Sequence, residues 1–174
     1  MSSTATSSGR LGAAFLAEMD NEAKVTRQVL ERIPAEKFDW KPHEKSMTMG
    51  RLATHVAEMF GWTKETCTQD VLDFSTMDFT PFEPKSTEEL LAFFDDHIAK
   101  AKAILGETSD ETFFTDCTMR NGEQVYFTMP KVAVMRTFVM NHIVHHRGQL
   151  SVYLRLNDIP VPSIYGPSAD EGQM

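Results

Sequence analysis

Two histidines four residues apart, His142 and His146, lie in a stretch whose other residues read as the buried side of a helix. That spacing constrains the fold more than any other feature of the chain. In an α-helix such residues share a face, offset by only about 40°. Both imidazoles then aim inward at one point, and burying them without partners is costly. The chain must fold so that a second inward-facing helix meets them there, and His55 is the candidate it would bring. His145 falls roughly 60° from His142 on the other side, at the edge of the face; i, i+3 pairs also meet, so it could replace either histidine, but its angle reads better as a neighbouring or packing group.

The rest of the chain supplies the helices. Leu11, Phe15, Met19, Ala23, Thr26 and Leu30 recur at three-to-four spacing in a first helix over about 10–33, ended by Pro34. Phe38 and Trp40 alternate in the loop that follows. A second helix opens near Ser46 or Thr48, with Leu52, Val56, Met59, Phe60 and Thr63 on the face that carries His55. A long connection, 67–85, has the reach to cross a bundle. Ser86-Thr87-Glu88-Glu89 is a capping box for a third helix with Leu90, Leu91, Phe94, Ile98, Ala101 and Leu105 inward, stopped by Gly106. The segments 113–119 and 124–128 around Asn121-Gly122 read as a β-hairpin turned by those two residues. A fourth helix starts at Pro130 and runs to Leu156, with Met135, His142, His146, Gln149 and Tyr153 on its inward stripe. The fold class is therefore all-α, a four-helix bundle with a small β-hairpin between helices 3 and 4. Residues 1–9, rich in Ser and Thr, are expected to be disordered, with one domain over 10–174 and a Pro-rich tail from Ile159 that wraps or frays rather than forming an element.

Composition narrows the function classes. A net charge of −8 without a Lys/Arg stripe argues against nucleic acid and anionic lipid as partners. No apolar run is long enough for a membrane span, and the first residues lack a secretion signal. Cys67 and Cys117 stand in no metal-type spacing, which predicts free thiols in a reducing, cytoplasmic setting. The eleven methionines read as core filler rather than copper ligands.

Zinc and nickel ions bind neutral imidazole well, and catalytic zinc sites use three protein ligands. His55, His142 and His146 are the expected ligands. Gln149 and Tyr153, one and two turns beyond His146, are placed to touch a water or a substrate. Glu58, one turn after His55, is the candidate general base, with an exposed position at the helix edge as its alternative. His43 in a loop and His97 beside Asp95 and Asp96 read as solvated. The competing explanation is three histidines that are hydrogen-bonded core residues with no ion.

His142, three residues, then His146-Arg147-Gly148-Gln149-Leu150 on the last helix, joined to Leu52-Ala53-Thr54-His55-Val56-Ala57-Glu58 and to a tail Val161-Pro162-Ser163-Ile164-Tyr165-Gly166-Pro167, closely resembles the DinB/YfiT-like superfamily of bacterial metal-binding proteins. The likeness spans the first helix to the tail. It implies an up-down-down-up topology, a nickel or zinc ion on residues matching His55, His142 and His146, and a homodimer. It also implies activities such as thiol-dependent S-transfer or isomerisation with a low-molecular-weight thiol cosubstrate. Arg147 lies off the metal face and reads as a structural ion pair. Gly148 points away from it, where another helix could approach.

Two functions follow. The first is a metal-dependent enzyme activating a thiol or water against a small-molecule substrate, as an S-transferase or hydrolase. The second is a non-catalytic metal-binding or stress-related dimeric bundle, whose ion would be structural or sequestered.

Overall fold

The computed structural model describes residues 10–78 and 80–172; the expected disordered tail, residues 1–9, lies outside the described residues. The architecture is mostly helical with one small sheet. Helix α1 (Arg10–Glu31) buries Phe15, Met19, Ala23, Thr26 and Leu30, the stripe its spacing predicts. A 3₁₀ turn (Ala35–Lys37) follows. Helix α2 (Met49–Met59) is capped by Thr48, whose side chain accepts from the Arg51 backbone N–H. It gives way at Phe60-Gly61 to a short α3 (Trp62–Thr68). Helix α4 (Thr87–Glu107) opens on Ser86, which accepts from the Glu89 backbone N–H as the capping-box sequence requires.

The remaining elements are α5 (Asp110–Phe114), strands β1 (Val71–Asp73), β2 (Asp116–Asn121) and β3 (Gln124–Pro130), then α6 (Lys131–Val134), a π-helical stretch (Met135–Met140) and α7 (Asn141–Leu156). Helix α1 packs on α4 and α7, and α2 packs on the other sides of the same two helices. One core, including Met19, Leu30, Leu52, Val56, Phe60, Phe94, Ile143 and Leu150, fills the space between them. Gly12 allows α1 to approach α4 closely: a Cβ there would lie 2.6 Å from the Leu105 carbonyl oxygen. At the same end, Asp110 accepts from the Leu11 backbone N–H at 2.9 Å and satisfies one of the free donors of the first turn of α1.

Several sequence expectations need correction. Gly106 does not stop the third helix, which continues to Glu107 with Thr108 beyond it. Residues 113–114 are helical rather than extended, because Ser109 caps a turn by accepting from the Thr112 backbone N–H. The hairpin is present, but its loop is Gly122-Glu123, since Asn121 pairs with Gln124. Only Gly122 takes the left-handed conformation there, at φ 58°. Within the long connection 67–85, Val71–Asp73 forms an unforeseen strand that pairs in parallel with β2, giving a sheet in the order β1-β2-β3.

The last helix departs most. The wide π turn puts extra chain into the helix ahead of α7, so the buried face downstream is Val139, Met140, Ile143, Arg147, Leu150 and Leu154. Of the residues expected on the inward stripe, Met135 and Tyr153 are buried, His142 and His146 are half-buried, and Gln149 is exposed. The described part of the tail wraps rather than frays. Glu171 pairs with Arg32, and Asp170 with Arg155. Among the described residues no helix is long and apolar enough to cross a membrane.

Candidate metal centre

The second helix and the last bring His55, His142 and His146 together, with one ligand atom from each all within 4.8 Å of one another. The rings pack edge-on: His55 lies 5.1 Å from His142 and 4.7 Å from His146, centroid to centroid. The Nε2 atoms of His55 and His142 face each other at 3.3 Å. Four-residue spacing on α7 stacks His142 and His146 with centroids 4.6 Å apart.

Each ring is oriented by a partner outside the cluster. His55 Nδ1 donates to Glu58 Oε1 at 2.8 Å, because an ionised carboxylate can only accept. His146 Nδ1 lies 2.6 Å from Gln149 Oε1 and donates to it. The His142 ring donates to the backbone carbonyl of Phe138, one turn earlier. Such partners fix the tautomer and the ring plane of a metal-binding histidine.

Electrostatics favour the neutral ligand form. Burial pulls His142 down to about 4, helped by the neighbouring His146 and His55. Burial also lowers His146, against the pull of its bond to Gln149. With its Nδ1 on Glu58, His55 turns its Nε2 toward that of His142, so a cation between the two rings would be shared by both. The 3.3 Å separation of His55 and His142 matches the edge of a tetrahedron with metal–nitrogen bonds of about 2.0–2.1 Å, roughly 3.3–3.4 Å. The donor set thus fits a divalent ion that accepts imidazole.

The other expected site residues fall differently. Glu58 is 6% exposed, so the exposed-edge alternative is excluded, and its Oε1 also accepts from Arg51 Nη2 at 3.1 Å. Arg51, one turn before His55 on the same face, is a site neighbour that the sequence reading passed over; its spacing of four to His55 and seven to Glu58 was the available signal. Tyr153 packs edge-on against Trp40, and its hydroxyl donates to the Met47 carbonyl at 3.3 Å. His145 is exposed, with its ring 4.8 Å from that of His146. His43 is exposed as expected. His97 is not solvated: it is half-buried, bonded to the Phe93 carbonyl and packed on the Phe93 ring.

Arg147 is the structural ion pair foreseen. Its side chain is 1% exposed and meets the Glu22 carboxylate at 2.7 Å, the Thr26 hydroxyl at 3.0 Å and the Tyr165 hydroxyl. Tyr165 in turn donates to Glu22, so this guanidinium pins the tail to α1 and α7. Cys67 and Cys117 are free and buried, and burial raises both thiols, which makes them unreactive packing groups.

Three histidines converging from two helices define the class of molecule: a helical bundle with a three-histidine cluster that could hold a metal ion. The chain belongs to the DinB family, whose profile matches residues 1–173. It is similar to the uncharacterized protein YrdA of Bacillus subtilis strain 168, 28% identical over 163 residues, covering 90% of this chain and 89% of that protein. It is also similar to the uncharacterized protein YjoA of the same strain, 26% identical over 136 residues, covering 75% and 80%. Among solved structures, a DinB-like protein from Bacillus cereus ATCC 10987 superposes with a TM-score of 0.68 at 22% identity, covering 88% of this chain and 97% of the other. The DinB-like protein YjoA of Bacillus subtilis superposes with a TM-score of 0.66 at 20% identity, covering 84% and 95%. At these identities the structures establish a common fold.

Proposed function

We propose that this protein is a metal-dependent enzyme acting on a small-molecule electrophile, as a thiol-dependent S-transferase or a hydrolase. The observation that carries the reading is the count of ligands: three imidazoles converge, and no fourth His, Cys or carboxylate joins them among the described residues. Three protein ligands typify catalytic zinc sites, whereas structural sites close the shell with four. The chemistry a divalent ion supplies in such a setting is Lewis acidity, which acidifies a water or a thiol.

His55, His142 and His146 hold the ion, and an imidazole-only donor set suits zinc or nickel. Glu58 and Gln149 hold the rings of His55 and His146 in the ligand tautomer. Tyr153, tied to the Met47 carbonyl, shapes the wall between α7 and the Trp40 loop. The half-burial of the three rings leaves the cluster open to a substrate from the surface.

The closed order of packing α1-α4-α2-α7, with the long connection before α4, supports the up-down-down-up topology. A homodimer is supported by one unpartnered face of α7, where Val144, Val152 and Leu156 are exposed around Gly148. A Cβ on Gly148 meets nothing within 4 Å in the single chain, so Gly148→Leu is expected to lower the sedimenting mass without unfolding the protein. Two buried free thiols support a reducing, cytoplasmic location.

The test is elemental analysis of protein purified without an affinity tag, followed by turnover of an electrophile panel with and without low-molecular-weight thiols. Stoichiometric zinc or nickel with thiol- or water-dependent turnover is expected. Stoichiometric metal without turnover of any electrophile would replace the enzyme with a non-catalytic metal-binding bundle.

A further inference from the structure

We propose that Arg51 is a positioning residue of the histidine cluster: it holds the Glu58 carboxylate against His55 Nδ1, and so keeps His55 Nε2 available to an ion. Arg51, His55 and Glu58 follow one another at spacings of four and three on α2, which sets them along one helix face. The long Arg51 side chain reaches Glu58, seven residues further on.

Two donors converge on one atom. Glu58 Oε1 accepts from His55 Nδ1 at 2.8 Å and from Arg51 Nη2 at 3.1 Å. The Glu58 side chain is 7% exposed, so water competes little for its charge. A carboxylate this enclosed needs a cation to offset its burial, and Arg51 is the one Lys or Arg that pairs with it among the described residues.

The pair joins no two elements of the fold, since both residues lie on α2. The Arg51 side chain has no second hydrogen-bond partner among the described residues. What the bond fixes is the acceptor of His55. The tautomer of a histidine follows from the hydrogen bond that its other nitrogen makes. With the carboxylate in place, the neutral His55 ring carries its proton on Nδ1, and Nε2, 3.3 Å from the Nε2 of His142, is left unprotonated. Without Arg51, Glu58 is an unpaired enclosed charge that turns toward water and deserts Nδ1. The inference rests on the metal reading, in which His55 is a ligand, and adds to it the residue that acts through Glu58.

The experiment reads the ring nitrogen-15 NMR signals of His55 in the full, metal-free chain at mildly alkaline pH, and zinc affinity by chelator competition. The parent should carry the His55 proton on Nδ1, and Arg51→Gln should move it in part or in whole to Nε2. Zinc affinity should fall by about tenfold, the low end of the usual cost of losing an outer partner of a ligating histidine. In a Glu58→Ala background the same substitution should cost less than about twofold, because its route runs through that carboxylate. A proton that stays on Nδ1 in Arg51→Gln overturns the proposal, as do losses of zinc affinity that add across the two substitutions. The unaltered chain decides where the variant fails to fold: an Arg51 guanidinium that rotates freely by nitrogen-15 NMR is not held by Glu58, and hindered rotation supports the pair. A parent chain that binds no zinc refutes the metal reading instead, and leaves the tautomer result standing.

Discussion

His55 and His142, 87 residues apart in the chain, turn their Nε2 atoms toward each other across 3.3 Å. The His55 Nδ1 is committed to Glu58, which leaves the His55 Nε2 to face the His142 ring. Two ring nitrogens at that distance, with His146 beside them, form a cluster that could hold a cation.

The double variant His142→Ala, His146→Ala should therefore lose divalent metal while keeping its helical circular dichroism, because both side chains lie at the edge of the core rather than within it. Zinc or nickel bound as tightly as by the parent would remove these residues from the ligand set.

Glu58→Gln keeps the shape of the residue that orients His55 but removes its charge. Metal affinity should fall by about 10–100-fold, the usual cost of losing an outer hydrogen-bond partner of a ligating histidine. A chelator-competition titration measures it, and an unchanged constant would restrict Glu58 to packing.

Arg147→Met breaks a largely buried pair and leaves the Glu22 carboxylate without its cation, held only by the Tyr165 hydroxyl. The expected cost is about 3–5 kcal/mol, since removing one partner of a buried ion pair leaves the other charge uncompensated. Urea unfolding should report this loss while metal content per folded chain stays at the parental value. A change below about 1 kcal/mol would mean that solvent, not Arg147, screens Glu22.

Asp73 ties β1 to the hairpin. Its carboxylate accepts from the Ser75 hydroxyl, and the Ser75 and Gly122 backbone N–H groups and Arg120 also surround it, which lowers it to about 2. A folded-state value below the ordinary 3.8 means that its contribution is complete above that pH and is lost as pH falls through about 2. Carboxyl-carbon NMR should titrate Asp73 near 2, and Asp73→Asn should abolish that part of the acid sensitivity. A value in the ordinary carboxylate range would show that the clamp does not hold in solution.

Much of this architecture was legible beforehand because it repeats locally. The stripe Phe15, Met19, Ala23, Thr26, Leu30 and the Ser86 capping box are short-range patterns, and each element formed where its pattern lay. The errors share another origin. Gly106 looked like a stop, yet it costs a helix little one residue from its end. Strand β1 carries too few residues to show alternation and exists only because β2 lies beside it. The phase of the last helix was misread because a π turn at Met135–Met140 advances the register, so Arg147 entered the core where Gln149 had been expected to face inward.

What the sequence determined by itself is the pair His142 and His146: helical periodicity alone sets two imidazoles on one face, whatever surrounds them. The apolar stripes likewise demanded partner helices, since each could leave water only against another. Tertiary structure decided what those rings meet. It placed His55 within bonding reach, gave Glu58 and Gln149 to the outer nitrogens, and sent the Tyr153 hydroxyl to a backbone carbonyl. Those outcomes depend on the relative rotation of two packed helices, which is set by the sum of many core contacts and by one widened turn, and no local spacing encodes it.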